Sequence, residues 1–391
     1  MSSSSQPIGT AATGGSPDRI PDCDQTGPLF GPNRIKLGVF GLNLSSAAGI
    51  TAAKDRHEVD WQQNVRLVQL AERAGFEAAV PVARWRGFEG ASNPWGESFE
   101  TYTWAAGLAS VTSRIAIFCT SHVLTVSPVV AAKAITTIDH ISGGRAVLNV
   151  VAGWFQKELD MFGVGALDSD GRYAYMAEWM DVLLRLWTQD VTFDFNGKYI
   201  YVKDGYQQPK SIQRPRPPVM NAAMSPVGHA FAARWADIAF VSIDSANLDE
   251  VKSKVADMRK IAADHGREIQ IWAASLVLCA EGDGVAQDEV ARYIEREGDP
   301  EASANRTAWG LAGKAPSKNR TETMKAKGNI DGGLSLIGTP QEIASNICLL
   351  CEAGIDGLCL SWFNFEKGLP IFIDKVLPLL EQAGVRQPAT S

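Results

Sequence analysis

Four short stretches gather residue types that bind or react more readily than they pack. They are Arg84-Trp85-Arg86, Thr120-Ser121-His122, the run from Asn149 to Trp154, and Ser361-Trp362-Phe363-Asn364. Asn149 is the sharpest of them, because it interrupts "RAVLNVVAGW", which otherwise reads as buried strand. An amide buried without a partner costs about 1–3 kcal/mol, so Asn149 is either satisfied by its neighbours or waiting for a ligand. Together these stretches offer aromatic rings, neutral hydrogen-bonding groups and a few cations. Such a set suits a flat, heteroatom-rich cofactor: apolar faces for its rings, amides and hydroxyls for its edge, cations and a helix start for a phosphate.

Each residue also has a plainer reading. Asn149 bonds to nearby backbone, His122 is an ordinary loop histidine, and Trp154 is packing. Arg172 and Tyr173 open a helix, where a solvated arginine is the default, and Ser225 is first of all an N-cap before Pro226. Motifs for other chemistry are missing. No G-x-G-x-x-G follows a strand pattern, and neither a P-loop nor a G-x-S-x-G is present. The five histidines show no H-x-x-x-H spacing, so no metal site is expected. Cys348-Leu-Leu-Cys351 lies within an apolar helical pattern and reads as core. A bound cofactor is therefore a better expectation than acid–base chemistry by the chain alone.

The elements that must position these groups alternate from Ile35 onward between strand-like runs and amphipathic helical patterns. Eight runs read as strands: "IKLGVFG", "EAAVPVA", "RIAIFCTS", "RAVLNVV", "PPVMNAA", "DIAFVS", "IQIWAASLVLCA" and "GLCLSWF". Each is answered by a helix, which favours one (β/α)₈ TIM barrel over an open doubly wound sheet, with chemistry on the loops after the strands. Two insertions are expected. One is a hairpin near 191–203 about Asn196-Gly197, and the other a long polar loop near 298–334. Residues 1–33, rich in Ser, Gly, Thr and Pro, read as a flexible leader before a single domain over 34–391.

The 391 residues are 45% hydrophobic, enough for a large core. A net charge of −7 argues against nucleic acid or an anionic membrane as partner and favours a small molecule. The six cysteines are too sparse for a disulfide framework, and no run is long enough for a signal peptide or membrane span, so a cytoplasmic protein is expected.

Taken in order, "RGF" at 86–88, "LASVTSRI", "TIDHISGGRAVLNVVAGW", "DGRYAYMAEWMDVLLRLWTQD", "QRPRPP" and "LIGTPQEIA" resemble the bacterial luciferase-like superfamily of flavin-dependent monooxygenases. The likeness runs from about Ile35 to Leu380. Within the superfamily it is strongest to the branch of the pyrimidine oxygenase of uracil catabolism and dimethyl sulfone monooxygenase. The resemblance implies reduced FMN and O2 as cosubstrates, a separate NAD(P)H:flavin reductase, and a homodimer or homotetramer. It implies that Ala83 and Arg84 lie against the flavin ring, that Asn149 bonds its edge, and that Glu158 belongs to the cofactor site. Arg172, Tyr173 and Ser225 would hold the phosphate. Thr120 and Asn149 occupy the places that favour oxygen activation at the flavin N5 position.

Trp85, His122, Trp154 and Trp362 are the candidates for the substrate pocket, with His122 as hydrogen bonder or acid. The implied reaction is oxidative cleavage of a C–N, C–S or C–halogen bond in a small N-heterocycle, amide or sulfone. Hydride transfer with deazaflavin F420 on the same barrel, or flavin binding without catalysis, are the alternatives.

Overall fold

Eight parallel strands close on themselves in the computed structural model, which describes residues 20–47, 49–223, 225–243, 247–311 and 334–389. In chain order the strands are β1 (Lys36–Phe40), β2 (Ala78–Val80), β3 (Ala116–His122), β4 (Ala146–Val151), β5 (Phe193–Asn196), β6 (Tyr201–Gly205), β7 (Val219–Ala223), β8 (Ile238–Val241), β9 (Gln270–Cys279), β10 (Leu334–Gly338) and β11 (Gly357–Ser361). The barrel runs β1-β2-β3-β4-β7-β8-β9-β11 and closes where β11 pairs with β1. The expected (β/α)₈ barrel is thus the observed one. Its helices start where the sequence places caps: the Ser127 side chain accepts from the Val129 amide ahead of Pro128–Ser142, and Thr339 with Glu342 forms a full capping box for Pro340–Glu352.

The insertions depart from expectation in instructive ways. β5 and β6 form the hairpin, but Asn196 pairs directly with Tyr201, so the turn is longer than the two residues Asn196-Gly197. Glu178 holds it by accepting from the Lys198, Tyr199 and Ile200 amides at 2.8–2.9 Å. The long loop near 298–334 is not a loop at its start. Pro300–Leu311 is a helix, opened by Asp299, whose Oδ1 accepts from the Ala302 amide at 3.0 Å. The span 312–333 lies outside the described residues. β10, which the sequence reading did not anticipate, adds to the barrel because β9 is ten residues long. Its first half pairs with β8 and its second half with β10.

From Ile20 onward the leader is packed, not loose, while residues 1–19 lie outside the described residues. Leu29, 1% exposed, seals the N-terminal end of the barrel against Val80, Phe118 and Trp272. Gln270 Nε2 donates to the Leu29 carbonyl at 2.9 Å, and Arg216 Nε to the Pro21 carbonyl at 2.9 Å. Beneath them Arg216 and Arg267 both reach Asp237, at 2.6 and 2.7 Å. Burial pushes the Asp237 carboxyl up, but Arg216 and then Arg267 overcome it and hold it below the usual carboxylate range.

A loose leader would tolerate truncation of Leu29. A sealing one does not: Leu29→Ala is expected to lower stability by about 2–5 kcal/mol, read as a lower urea midpoint at unchanged slope.

Candidate active site

Alternation along the strands decides what faces the barrel interior. Toward the N-terminal end the interior is filled by large apolar groups, among them Phe118, Val147, Met220 and Trp272. Two residues further along the same strands come Thr120, Asn149, Ala222 and Ala274, which are small or polar. Filling therefore stops partway, and the inward-facing Phe40, Ala222 and Phe240 are only half-buried. The result is a concave, partly polar floor at the C-terminal end of the barrel, where chemistry in this architecture sits.

Thr120 and Asn149 meet because they are direct cross-strand partners in the β3–β4 register. Asn149 Nδ2 donates to Thr120 Oγ1 at 3.1 Å, and Thr120 Oγ1 donates its own hydrogen to the Pro81 carbonyl at 2.6 Å. The threonine hydroxyl proton is thereby committed to backbone, and Thr120 acts by fixing the amide. Asn149 Oδ1 is buried and has no partner among the described residues. The local satisfaction that a plain reading requires is therefore only half made, and an acceptor is left over for a ligand.

His122, 8% exposed, stands one step further out on the same face, its Nδ1 also without a partner. Burial, and then the positive charge of Arg84, push its pKa down to about 3. The imidazole is neutral near pH 7, the state in which it offers a hydrogen bond and no imidazolium proton.

Arg84 is held by Glu158, with Nη1 to Oε2 at 3.0 Å. The other carboxylate oxygen accepts from the Trp85 and Arg86 amides at 2.9 and 3.2 Å. Glu158, 1% exposed, thus spends itself on the loop after β2 and orients Arg84 and Ala83 for the floor. The guanidinium lies 4.9 Å from the Trp95 ring and 5.0 Å from the Trp154 ring.

Across the floor, Ser225 caps the helix Pro226–Trp235 by accepting from the Gly228 amide at 3.2 Å. Tyr173, on the helix Ser169–Thr188, hydrogen-bonds Ser225. A Cβ at position 228 would stand 2.5 Å from Tyr173 Oη, so the missing side chain is what lets phenol, hydroxyl and helix start converge. That is a cradle for an anion, supplied with amides and the positive end of the helix. Arg172 stands beside it, its Nη1 bonded to the Leu167 carbonyl.

The walls are aromatic, and part of them was missed in the sequence. Trp154, 37% exposed, stacks on Phe155 at 5.5 Å, and Phe155 on Trp309 at 5.4 Å. Lys157 Nζ sits 3.6 Å over Trp309, and Arg306 stands over Trp95. Trp309 and Arg306 ride on Pro300–Leu311, whose Asp299-Pro300 start was the available signal. Trp85, 44% exposed, lies on the rim against Phe162. Trp362 is not in this site. Cys359 and Ser361 take the inward positions of β11, which turns Trp362 outward onto Phe365 and Phe372. Ser361, inward with a buried Oγ that has no partner among the described residues, is the residue that strand contributes.

A family model described as luciferase-like monooxygenase matches residues 35–357. The chain is 30% identical to a pyrimidine monooxygenase of Bradyrhizobium sp., over 90% of this chain and 99% of that protein. It is also 30% identical to an FMNH2-dependent dimethylsulfone monooxygenase of Pseudomonas putida, over 89% of this chain and 96% of that protein. Among solved structures, a riboflavin lyase superposes with a TM-score of 0.80 over 91% of this chain and 94% of its own; at 20% identity this is a likeness of fold.

The depressed pKa of His122 has a signed consequence. Below its ordinary value of 6.5 the unfolded chain takes up a proton that the folded site refuses, so stability falls as pH drops from 6.5 toward 3. His122→Gln, neutral throughout, is expected to lose less stability over that window than the wild type, measured as the difference in urea midpoints. An equal acid sensitivity would mean that the imidazole is charged in the folded protein.

Proposed function

This chain belongs to the luciferase-like monooxygenase family, and from that premise we propose that it is a two-component monooxygenase using reduced FMN and O2. The observation that carries the reading is the unspent Asn149 Oδ1, fixed by Thr120 in the floor of the barrel. It is an acceptor suited to an N–H on the edge of a flavin ring. The Ser225, Tyr173 and Gly228 cradle supports the same reading from the other end, since FMN brings one phosphate to be held there, with Arg172 beside it. Ala83 and Arg84 would lie along the ring, and Glu158 keeps Arg84 in place.

Reduced flavin, when bound, supplies the electrons that activate dioxygen. The chain's own residues orient and protect. Thr120 holds the Asn149 amide in one direction. Trp95, Trp154, Phe155 and Trp309 wall off water, which would otherwise divert the reaction to hydrogen peroxide. His122, neutral, presents a hydrogen bond to substrate without lending it a proton. The substrate on this reading is a small neutral molecule such as an N-heterocycle, amide or sulfone, cleaved oxidatively at a C–N, C–S or C–halogen bond.

Nothing marks a nicotinamide site, so a separate NAD(P)H:flavin reductase would supply the reduced cofactor. Six free thiols fit a reducing, cytoplasmic setting. No helix of the described residues is long and apolar enough to cross a membrane.

Stopped-flow mixing of protein and reduced FMN with oxygenated buffer tests the proposal. A protein-dependent change in flavin reoxidation is expected, and Gly228→Val, which fills the cradle, should weaken reduced-FMN binding by at least tenfold. Asn149→Ala removes one hydrogen bond, worth about 0.5–1.5 kcal/mol, and should weaken binding roughly 2- to 12-fold. Reoxidation identical to free flavin, without detectable binding, would overturn the reading.

A further inference from the structure

Trp362 is the aromatic residue that the barrel mouth does not use, and it faces a different space. A cavity of about 390 Å³ opens between the end of β9, the helix Val285–Ala291 and the helix Phe365–Ile371. Neither Arg84, Thr120, Asn149 nor Tyr173 lines it. The residues that β9 and β11 give to the floor, Ala274 and Ser361, do not line it either. Its volume falls within the range of about 300–1,000 Å³ typical of small-molecule pockets.

The walls are largely apolar, with Val277, Leu278, Tyr293, Trp362, Phe363 and Ile371 prominent. Their polar groups are mostly spent. Tyr293 Oη donates to Asp55 at 2.9 Å, and Asn364 bonds to the Asp55 carbonyl and the Lys367 amide at 2.6 and 3.0 Å. The charges on the walls are paired as well: Glu281 with Lys375 at 3.0 Å, Glu289 with Lys367 at 3.4 Å, and Asp288 with Arg296 at 2.9 Å.

One donor remains. Trp362 Nε1 is buried with no partner among the described residues, a condition that costs about 1–3 kcal/mol unless something accepts from it. The pyrrole edge lies against Gly368, which lines the same cavity. A Cβ at 368 would stand 2.1 Å from Trp362 Cδ1 and 2.9 Å from Nε1, so any side chain there would press onto this edge of the indole and only glycine lets the helix sit against it. Two π-helical turns, Arg292–Arg296 and Phe372–Val376, carry Tyr293 and Lys375 to the walls. Such turns interrupt a regular helix and are frequent at functional sites.

We propose that this cavity is an accessory binding site for a small, neutral, mainly apolar molecule bearing an acceptor oxygen, which takes the hydrogen of Trp362 Nε1. Neutrality follows from the paired walls, where a charged ligand would meet no unspent counter-ion and would lose its hydration. The apolar lining supplies the affinity and the indole supplies the orientation.

The probe is 2-heptanone, titrated into the full chain labelled with ¹⁵N and compared with heptanoate. The Trp362 indole crosspeak, identified as the one absent from Trp362→Phe, is expected to move downfield with the ketone and to stay in place with the carboxylate. Calorimetry on Ile371→Trp, which fills the cavity from a half-buried wall position, gives a second reading independent of that assignment. Ketone affinity should fall at least tenfold there, while reduced FMN binds as in the wild type. A crosspeak unmoved at saturating ketone, or ketone binding unchanged in Ile371→Trp, would overturn the proposal.

Discussion

The Glu158 carboxylate is the constraint on which the mouth of the barrel depends. At 1% exposure it has given up almost all of its water, and three donors from one loop replace it: the Arg84 guanidinium and the amides of Trp85 and Arg86. Removing one partner of such a pair leaves a buried charge uncompensated, a penalty of about 3–5 kcal/mol. The loop after β2 and the short helix Gln156–Met161 that carries Glu158 after β4 are therefore locked to each other. That lock sets Arg84 between two indole faces and brings its charge close enough to His122 to help keep the imidazole neutral.

The barrel divides its labour along its own axis. Its N-terminal end is sealed by Leu29 from outside the strands and by large side chains within, and the buried Arg216–Asp237–Arg267 cluster ties the leader to the sheet. The C-terminal end is under-filled by design of the sequence, since Thr120, Asn149, Ala222 and Ala274 replace what would otherwise be a further layer of bulk. Stability concentrated at one end lets the other carry unsatisfied polar atoms. A site of this kind is tolerable only on a scaffold whose remaining buried polar groups are largely paired.

Much of this was legible in the sequence. Asn149 stood out because an amide in an apolar strand demands a partner, and the eight strands stood out because each was answered by a helical pattern. Trp362 was misplaced for a physical reason. In a parallel barrel both faces of a strand are apolar, so alternation carries little signal, and a one-residue choice of phase sends Ser361 inward and Trp362 outward. Pro300–Leu311 was hidden in a polar stretch whose composition outweighed the Asp299-Pro300 start, and β10 is a short apolar run between that stretch and the Thr339 cap. The packed part of the leader was obscured by its Ser, Gly and Pro content, because Leu29 is a single contact and no periodic pattern announces it.

On the proposed reading, charge at the mouth favours a neutral substrate. Arg84 is paired with Glu158, so the two together bring no net charge to the mouth. His122 adds no charge, because protonating it would place a second cation in a desolvated space beside the first. The Thr120 hydroxyl already donates its hydrogen bond to the Pro81 carbonyl, and Asn149 and Ser361 hold dipoles only. What remains is a floor of fixed dipoles under aromatic walls, with the anion-binding capacity moved to the far rim at Tyr173 and Ser225. An anionic substrate would have to displace Glu158 to gain a counter-ion and would unlock the loop in doing so. A neutral one needs to find only the hydrogen bond that His122 leaves open.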